Sequence, residues 1–178
     1  MSMEYCVYTT LTNIPDGTTA SVLSELNKFD MVCEIHPDVS IETSGGFAPF
    51  KFQLHESQFP DLEDKELISG VEICVHDFDP DDHENPFFGS DDDPHKGEYK
   101  KTISFYFTGA SDRFEFRFAC LISAILTTLL NGVRSDDDWN ISKGSPALIV
   151  EAWEQVKQHE EYFAKNYDIP FHQFEGWH

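Results

Sequence analysis

The residues best suited to chemistry form a run of eight carboxylates that begins at Asp77 and contains no Lys or Arg. Its first members, Asp77, Asp79 and Asp81, match the opening of a calcium-binding loop, in which alternate side-chain oxygens converge on the ion. The match ends there, because Asp82 stands where such a loop requires Gly and Phe88 where it requires Glu. The spacing therefore does not predict a specific calcium site.

Histidines beside these carboxylates suggest a second possibility, a transition-metal site. His76 and His83 lie close in sequence to Asp77 and Asp79, and imidazole together with carboxylate is a donor set that binds zinc or iron. A metal-dependent hydrolase that uses these four residues is therefore an alternative function. The spacing fits no established ligand motif and is not the helical HExxH arrangement, so we predict no metal and no cofactor.

Motifs for nucleophilic catalysis and phosphate binding are absent from the sequence. It has no GxSxG elbow, no SxxK pair and no Gly-rich loop followed by Lys, so we expect a protein that is not an enzyme. Cys6, Cys33, Cys74 and Cys120 stand singly in apolar segments without a cationic neighbour that would favour a thiolate. Buried, reduced thiols and the lack of a signal-peptide pattern at the N-terminus predict a cytoplasmic location.

The overall charge restricts the kind of partner. The chain carries 33 acidic and 12 basic residues, a net charge of -21. Direct binding to nucleic acid and to anionic membranes is disfavoured, because contacts with phosphate require Lys and Arg. A basic protein is favoured, since a field of this sign would steer it. The chain is 40% hydrophobic and includes sixteen Phe, so it has the material for a folded core.

Aromatic residues are interleaved with the carboxylates, as they are in tight protein interfaces, where rings supply buried area and charges supply steering. Phe87 and Phe88 lie within the acidic run, and Trp139 closes a second acidic cluster, SDDDW, at residues 135–139. The two Phe side chains are equally compatible with folding back onto the core, and both alternatives stay open. If both clusters lie on one side, they form a single negative surface. The predicted partner-binding residues are Asp77, Asp79, Asp81, Asp82, Glu84, Phe87, Phe88, Asp91, Asp92, Asp93, Asp136, Asp137, Asp138 and Trp139.

The strands on either side of the acidic run can be read from alternation. Val71, Ile73 and Val75 alternate with polar residues, as do Ile103 and Phe105 further along, so each series predicts a half-buried strand. The intervening residues 77–97 are then a long acidic loop, and loops of that length are usually functional. A shorter strand is predicted over residues 39–43.

Two helices complete the prediction. A helix over residues 112–131, capped by Ser111 or Asp112 with Glu115, is apolar nearly all round and belongs at the centre of the fold. An amphipathic helix over residues 146–166 follows, with Glu160 on its solvated face. The order of elements and the hairpin-length spacings predict a single α+β domain over residues 1–178, an antiparallel sheet with helices packed on one face.

The chain resembles the small acidic immunity proteins of bacterial toxin systems. The resemblance is organisational and rests on size, charge, the acidic aromatic loops and the run ISFYFTGASDRFEFRFACLISAILTTLLNGVRSDDDW at residues 103–139. Proteins of this class bind and block a toxin, often a basic nuclease. The resemblance therefore implies a binding protein that occludes the active site of a basic toxin. An acidic accessory domain, whose charge serves only solubility, is a further alternative beside the metal-dependent hydrolase.

Overall fold

An antiparallel sheet with helices on one side forms the protein, as the sequence predicts. The computed structural model describes residues 2–87 and 98–178. Within these ranges the strands are β1 (Met3–Thr9), β2 (Met31–Ile35), β3 (Gly45–Leu54), β4 (Leu67–Asp77), β5 (Lys101–Phe107), β6 (Val133–Ser135), β7 (Ile141–Lys143) and β8 (His172–Gln173). The helices are α1 (Thr18–Leu26), α2 (Glu115–Leu129) and α3 (Pro146–Asn166), with 3₁₀ turns at Ile41–Thr43 and Pro60–Leu62.

The strand order in the sheet is β2-β3-β4-β5-β1-β6-β7, and β8 pairs with the start of β4. All pairings between these strands are antiparallel. The first strand of the chain therefore lies inside the sheet, between β5 and β6. The two acidic segments follow β4 and β6, which run in opposite directions, so they leave opposite ends of the sheet.

Alternation along β1 separates the two faces of the sheet. Tyr5 and Val7 are buried against the helices, whereas Cys6 and Tyr8 project from the opposite face, which we call the helix-free face. Cys6 lies opposite Ser104 in the β1–β5 register, so polar side chains of neighbouring strands form continuous rows there.

The cysteine prediction is half right. Cys33 and Cys120 are buried and reduced, but Cys6 and Cys74 are reduced and only half-buried, on the helix-free face. They occupy polar-side positions of their strands, because side chains alternate between the two faces.

The central helix α2 is buried on nearly every side, because it lies between the sheet and α3. This confirms its predicted place, although it begins at Glu115 and ends at Leu129. The predicted capping box is wrong. Asp112 instead accepts a hydrogen bond from the backbone N–H of Phe114 at 2.8 Å, which fixes the turn before the helix.

The C-terminal helix α3 has the predicted bounds, and the hydroxyl of Ser145 accepts the N–H of Leu148 at its start. The prediction for Glu160 is wrong, since this side chain is 2% exposed and faces α2. Its carboxylate meets Arg117, which is 1% exposed, and the pair explains how a charged residue can occupy the buried face.

The predicted strand over residues 39–43 is also wrong, because Ile41–Thr43 forms a 3₁₀ turn. Ile41 is fully buried, and the Glu42 carboxylate accepts hydrogen bonds from the N–H and the hydroxyl of Thr19 at the start of α1. The turn thus serves as a cap for a helix elsewhere in the chain. Within the described residues, no helix is both long and apolar enough to cross a membrane.

Candidate functional site

The two acidic clusters face each other across a groove on the helix-free face. Two adjoining pockets of about 250 and 130 Å³ share the floor residues Glu4, Cys6 and Tyr8 from β1. We call this the acidic groove. Its remaining lining residues are His76, Phe78, Asp79, Asp82, Glu84, Asn85, Pro86, Thr102, Ser104, Tyr106, Ser135, Asp136, Asp137 and Trp139.

The charge of the acidic groove has one sign. Six carboxylates line it and, among the described residues, no Lys or Arg does. Glu84 of the first cluster and Asp137 of the second line the same pocket. Within the described residues, carboxylates of both acidic clusters therefore border one groove.

The wall formed by residues 78–87 is built from consecutive side-chain turns. Asp79 accepts the N–H of Asp81 at 2.9 Å, and Asp82 accepts the N–H of Glu84 at 2.9 Å. Asn85 then accepts the N–H of Phe87 at 2.7 Å. In such turns the side chain substitutes for a backbone carbonyl, so the same groups supply both the shape and the charge of this wall.

Phe87 anchors this wall to the sheet. It is 7% exposed, its ring meets Tyr8 edge-on at 5.1 Å between centroids, and it stacks on Tyr99 at 4.8 Å. Val133 completes this small aromatic cluster on the helix-free face. Of the two open alternatives for Phe87, the structure shows the fold-back onto the body, so Phe87 is not exposed as a partner-binding residue.

The opposite wall is the turn between β6 and β7, which Asp136 organises. Its carboxylate accepts the N–H groups of Asp138 and Asn140, each at 3.0 Å, and the side-chain amide of Asn140. Trp139 has a φ of 62° and is 55% exposed, so the turn presents a large ring at the rim of the groove. Asp136 therefore shapes the wall, while Asp137 and Trp139 offer surface to a partner.

Burial favours the neutral forms of Cys6 and Tyr106 in the groove. The Cys6 thiol donates to the Glu4 carboxylate at 3.0 Å and lies 3.5 Å from the Ser104 hydroxyl. Burial, together with Glu4, raises the pKa of Cys6 to about 12. Burial likewise raises the pKa of Tyr106. The floor is therefore uncharged apart from Glu4, and the Cys6 thiol is a weak nucleophile.

Asp137 experiences the crowding of negative charge most directly. It accepts the backbone N–H of Glu4 at 2.9 Å. Its pKa is nevertheless raised, by burial first and then by the carboxylates of Glu4, Asp136 and Asp138. A cation bound here would relieve this repulsion, because an opposite charge nearby favours the ionised carboxylate.

Some predicted site residues do not line the groove. Asp77 is 2.6 Å from Lys101 Nζ, and this hydrogen-bonded ion pair lowers the pKa of Asp77. Asp81 and Asp138 are exposed beside the groove without lining it. Four predicted residues lie outside the described ranges, namely Phe88, Asp91, Asp92 and Asp93.

The residues of the alternative metal site do not form a ligand cluster. Among the described residues, no group of three or more His, Cys, Asp and Glu is placed to hold a metal ion. His76 Nδ1 lies 3.2 Å from the carbonyl of Asp77, and its Nε2 lies 3.3 Å from the Ser104 hydroxyl. This places the Ser104 hydroxyl beside a base. An oxyanion would lack donors here, because the backbone N–H groups of β5 are used in pairing with β1 and β4. The carboxylates that line the same pocket would also repel it.

The sequence reasoning missed the floor of the groove, Glu4, Cys6, Tyr8, Ser104 and Tyr106. These residues lie in β1 and β5, at the alternate positions that face away from the helices. That alternation is the sequence signal that could have identified them. Alternation does not reveal which strands pair, so the sequence did not predict that β1 and β5 are neighbours in the sheet.

No family model matches the chain, and neither the curated proteins nor the solved structures contain a match.

Proposed function

We propose that this protein binds a basic protein through the acidic groove and neutralises it by occupying its cationic site, as an immunity protein does with a toxin. The supporting observation is the juxtaposition of Glu84 and Asp137 in one pocket, although they belong to separate acidic segments. Because folding gathers these charges against their mutual repulsion, the surface is expected to serve a partner of opposite charge.

The groove offers more than charge. Trp139 at 55% and Tyr106 at 37% are among the exposed large hydrophobic side chains, and both line it. Aromatic side chains supply much of the binding energy in many interfaces, and charged side chains around them supply steering and specificity. A partner with Lys or Arg beside an apolar surface would therefore be complementary to both features.

The charges would act mainly on the rate of association. A groove lined by one sign focuses the field, and steered association reaches on the order of 10⁸ M⁻¹s⁻¹ at low salt. Salt at about 0.15 M screens such fields beyond roughly 8 Å, so the association rate should fall steeply with ionic strength. The dissociation rate should change less, because contacts at short range set it.

Affinity capture from the native host, followed by elution along a salt gradient, tests the proposal. The expected product is a basic protein, identified by mass spectrometry, whose purified form associates with the protein at a rate that falls with salt. Its toxicity on expression in a bacterial host should disappear when the two proteins are co-expressed.

A pair of matched variants tests the location of the surface. The first neutralises three groove carboxylates as Asp79→Asn, Asp82→Asn and Glu84→Gln, which keeps the Asp79 and Asp82 side-chain turns possible. The control neutralises three exposed carboxylates of α3 as Glu151→Gln, Glu154→Gln and Glu161→Gln. We expect the groove variant to associate at least tenfold more slowly than the control. Equal rates, or a partner whose binding ignores salt, would refute the proposal.

A further inference from the structure

Four neighbouring strands place one side chain each in a single row across the helix-free face. In the sheet register Phe47 of β3 lies opposite Glu72 of β4, and Glu72 in turn lies opposite Tyr106 of β5. On its other side Tyr106 lies opposite Glu4 of β1. Residues directly opposite each other project from the same face, with their Cβ atoms about 5 Å apart. Rings and carboxylates therefore alternate along this row, which we call the aromatic-acidic row.

The side chains of the aromatic-acidic row are accessible to a partner. Phe47 is 61% and Tyr106 37% exposed, and Glu72 is exposed between them. A Cβ at Gly70 would come within 2.7 Å of the Phe47 ring, so the absence of a side chain at Gly70 makes room for that ring. Glu4 and Tyr106 also line the acidic groove, whereas Phe47 and Glu72 do not. The row thus extends the binding surface beyond the pockets of the groove.

The two carboxylates of the row have no basic partner. Among the described residues, no Lys, Arg or His lies within ion-pair distance of Glu4 or Glu72. Their neighbours include thiols, since Cys6 donates to Glu4 at 3.0 Å and Cys74 Sγ lies 3.9 Å from Glu72. Thiols are weak donors, so both carboxylates keep the capacity to accept from a cationic group.

The basic residues of the same face do not cover the row. Lys51 of β3 lies four residues from Phe47 and is engaged by Glu34 and Glu66. Lys143 lies on β7, at the edge of the sheet. The row is therefore a negative surface with exposed rings, and its charge favours a cationic occupant. A second copy of this chain is disfavoured, because each copy carries a net charge of -21.

We propose that the aromatic-acidic row binds arginine side chains of the partner in preference to lysine side chains. This inference rests on the proposed function and adds the chemistry that the surface recognises. A guanidinium group is planar, so it can stack on a ring while its N–H groups donate in pairs to a neighbouring carboxylate. Glu72 stands between two rings and offers both contacts at once. An ammonium group is a strongly hydrated point charge and lacks the paired donors.

Two cationic peptides test the inference without knowledge of the natural partner. Each has eight residues and blocked ends and alternates Thr with either Arg or Lys, so that length and charge are equal. Binding is measured by calorimetry near physiological salt. We expect the natural protein to bind the Arg peptide about fivefold more tightly than the Lys peptide.

Matched variants locate the source of the preference. Phe47→Leu with Tyr106→Leu removes both rings of the row and keeps apolar side chains in their places. The control, Tyr162→Leu with Tyr167→Leu, removes two rings of similar exposure at the end of α3. We expect the preference for the Arg peptide to fall below about twofold in the first variant and to stay near fivefold in the control.

A single exposed carboxylate gives a second test, which does not depend on the folding of the variant without rings. Glu72→Gln removes a charge that lies outside the pockets of the acidic groove, and Glu151→Gln removes an exposed charge of α3. We expect Glu72→Gln to bind the Arg peptide about threefold more weakly than Glu151→Gln does.

The outcomes separate the inference from the proposed function. Equal binding of the two peptides, a preference that survives removal of both rings, or equal binding by the Glu72 and Glu151 variants would overturn arginine selection by this row. Each of these results would leave the acidic groove as a site for cations. No binding of either peptide, even at low salt, would overturn both.

Discussion

Arg117 and Glu160 form a buried ion pair with two hydrogen bonds, Nε to Oε1 at 2.7 Å and Nη2 to Oε2 at 2.9 Å. Arg117 also donates to the carbonyl of Phe29 at 3.1 Å, and its guanidinium lies 5.2 Å from the centroid of the Trp153 ring. The pair thus joins α2 to α3 and ties both helices to the turn that precedes β2. Each guanidinium nitrogen and each carboxylate oxygen of the pair has a hydrogen-bond partner, which allows two charges to be buried.

Glu160→Leu should lower the free energy of unfolding by about 3–5 kcal/mol, because it leaves the Arg117 charge buried without a counter-ion. The double variant Arg117→Met with Glu160→Leu should regain at least half of that loss, since it buries no charge. Urea denaturation of both variants measures the difference. A double variant as unstable as the single one would show that the charge itself is not the cause.

Glu42→Gln should destabilise the protein by about 1 kcal/mol at neutral pH, because the amide keeps only one of the two acceptor oxygens that bind Thr19 and loses the negative charge. Burial alone would raise the pKa of Glu42, but hydrogen bonds from Thr19 lower it to about 2. As pH falls, Glu42 is protonated in the unfolded chain before it is protonated in the folded protein. Glu42 therefore contributes its full stabilisation only at pH values above the pKa of the unfolded chain. That contribution is lost as pH falls toward 2. Urea denaturation between pH 7 and 3 should show the difference between the two proteins shrinking, whereas a constant difference would contradict this account.

Phe87→Ala should cost about 3 kcal/mol, because it empties the centre of the small cluster with Tyr8 and Tyr99. It should also slow association with a basic partner, since residues 78–87 lose their anchor and no longer hold Glu84 in the groove. Phe87→Leu, which keeps most of the apolar volume, is the control. Stability and association rate should fall together in the series, and an unchanged rate in the Ala variant would separate the anchor from binding.

Asp137→Asn should raise the thermal midpoint at pH 7 while weakening partner binding. The pKa of Asp137 is raised in the folded protein, so folding becomes less favourable as pH increases through the interval between the unfolded and folded values. At neutral pH the whole penalty is present, and Asn removes it while still accepting the N–H of Glu4. Scanning calorimetry at pH 7 and pH 3 should show a gain at pH 7 alone. Asp61→Asn, on the exposed 3₁₀ turn after Phe59, should show no gain, and a similar gain there would indicate a general charge effect.

Much of the fold could be predicted because strong local patterns dictate it. The alternation of Val71, Ile73 and Val75 identified β4, and the uniformly apolar middle of α2 identified the centre of the fold. Residues 39–43 show the limit. Their composition suits a strand, but the Glu42 carboxylate is used by Thr19, so a contact distant in sequence decides the local conformation.

The site could be predicted only in part. Local composition located both acidic walls, and the structure brings them together. Local composition could not reveal that Asp77 is paired with Lys101, that Glu160 is buried, or that Phe87 faces the sheet. Each of these facts depends on a neighbour distant in sequence. A single sequence holds no signal for such pairs.

The side-chain turns of residues 78–87 have an evolutionary consequence. Asp and Asn both accept the backbone N–H that closes such a turn, and their codons differ by one base. Single-base exchanges at Asp79 and Asp82 can thus change the electrostatic potential of the groove while they preserve the backbone conformation. Descendants of this chain would be able to adjust the charge of the groove in unit steps on an unchanged scaffold.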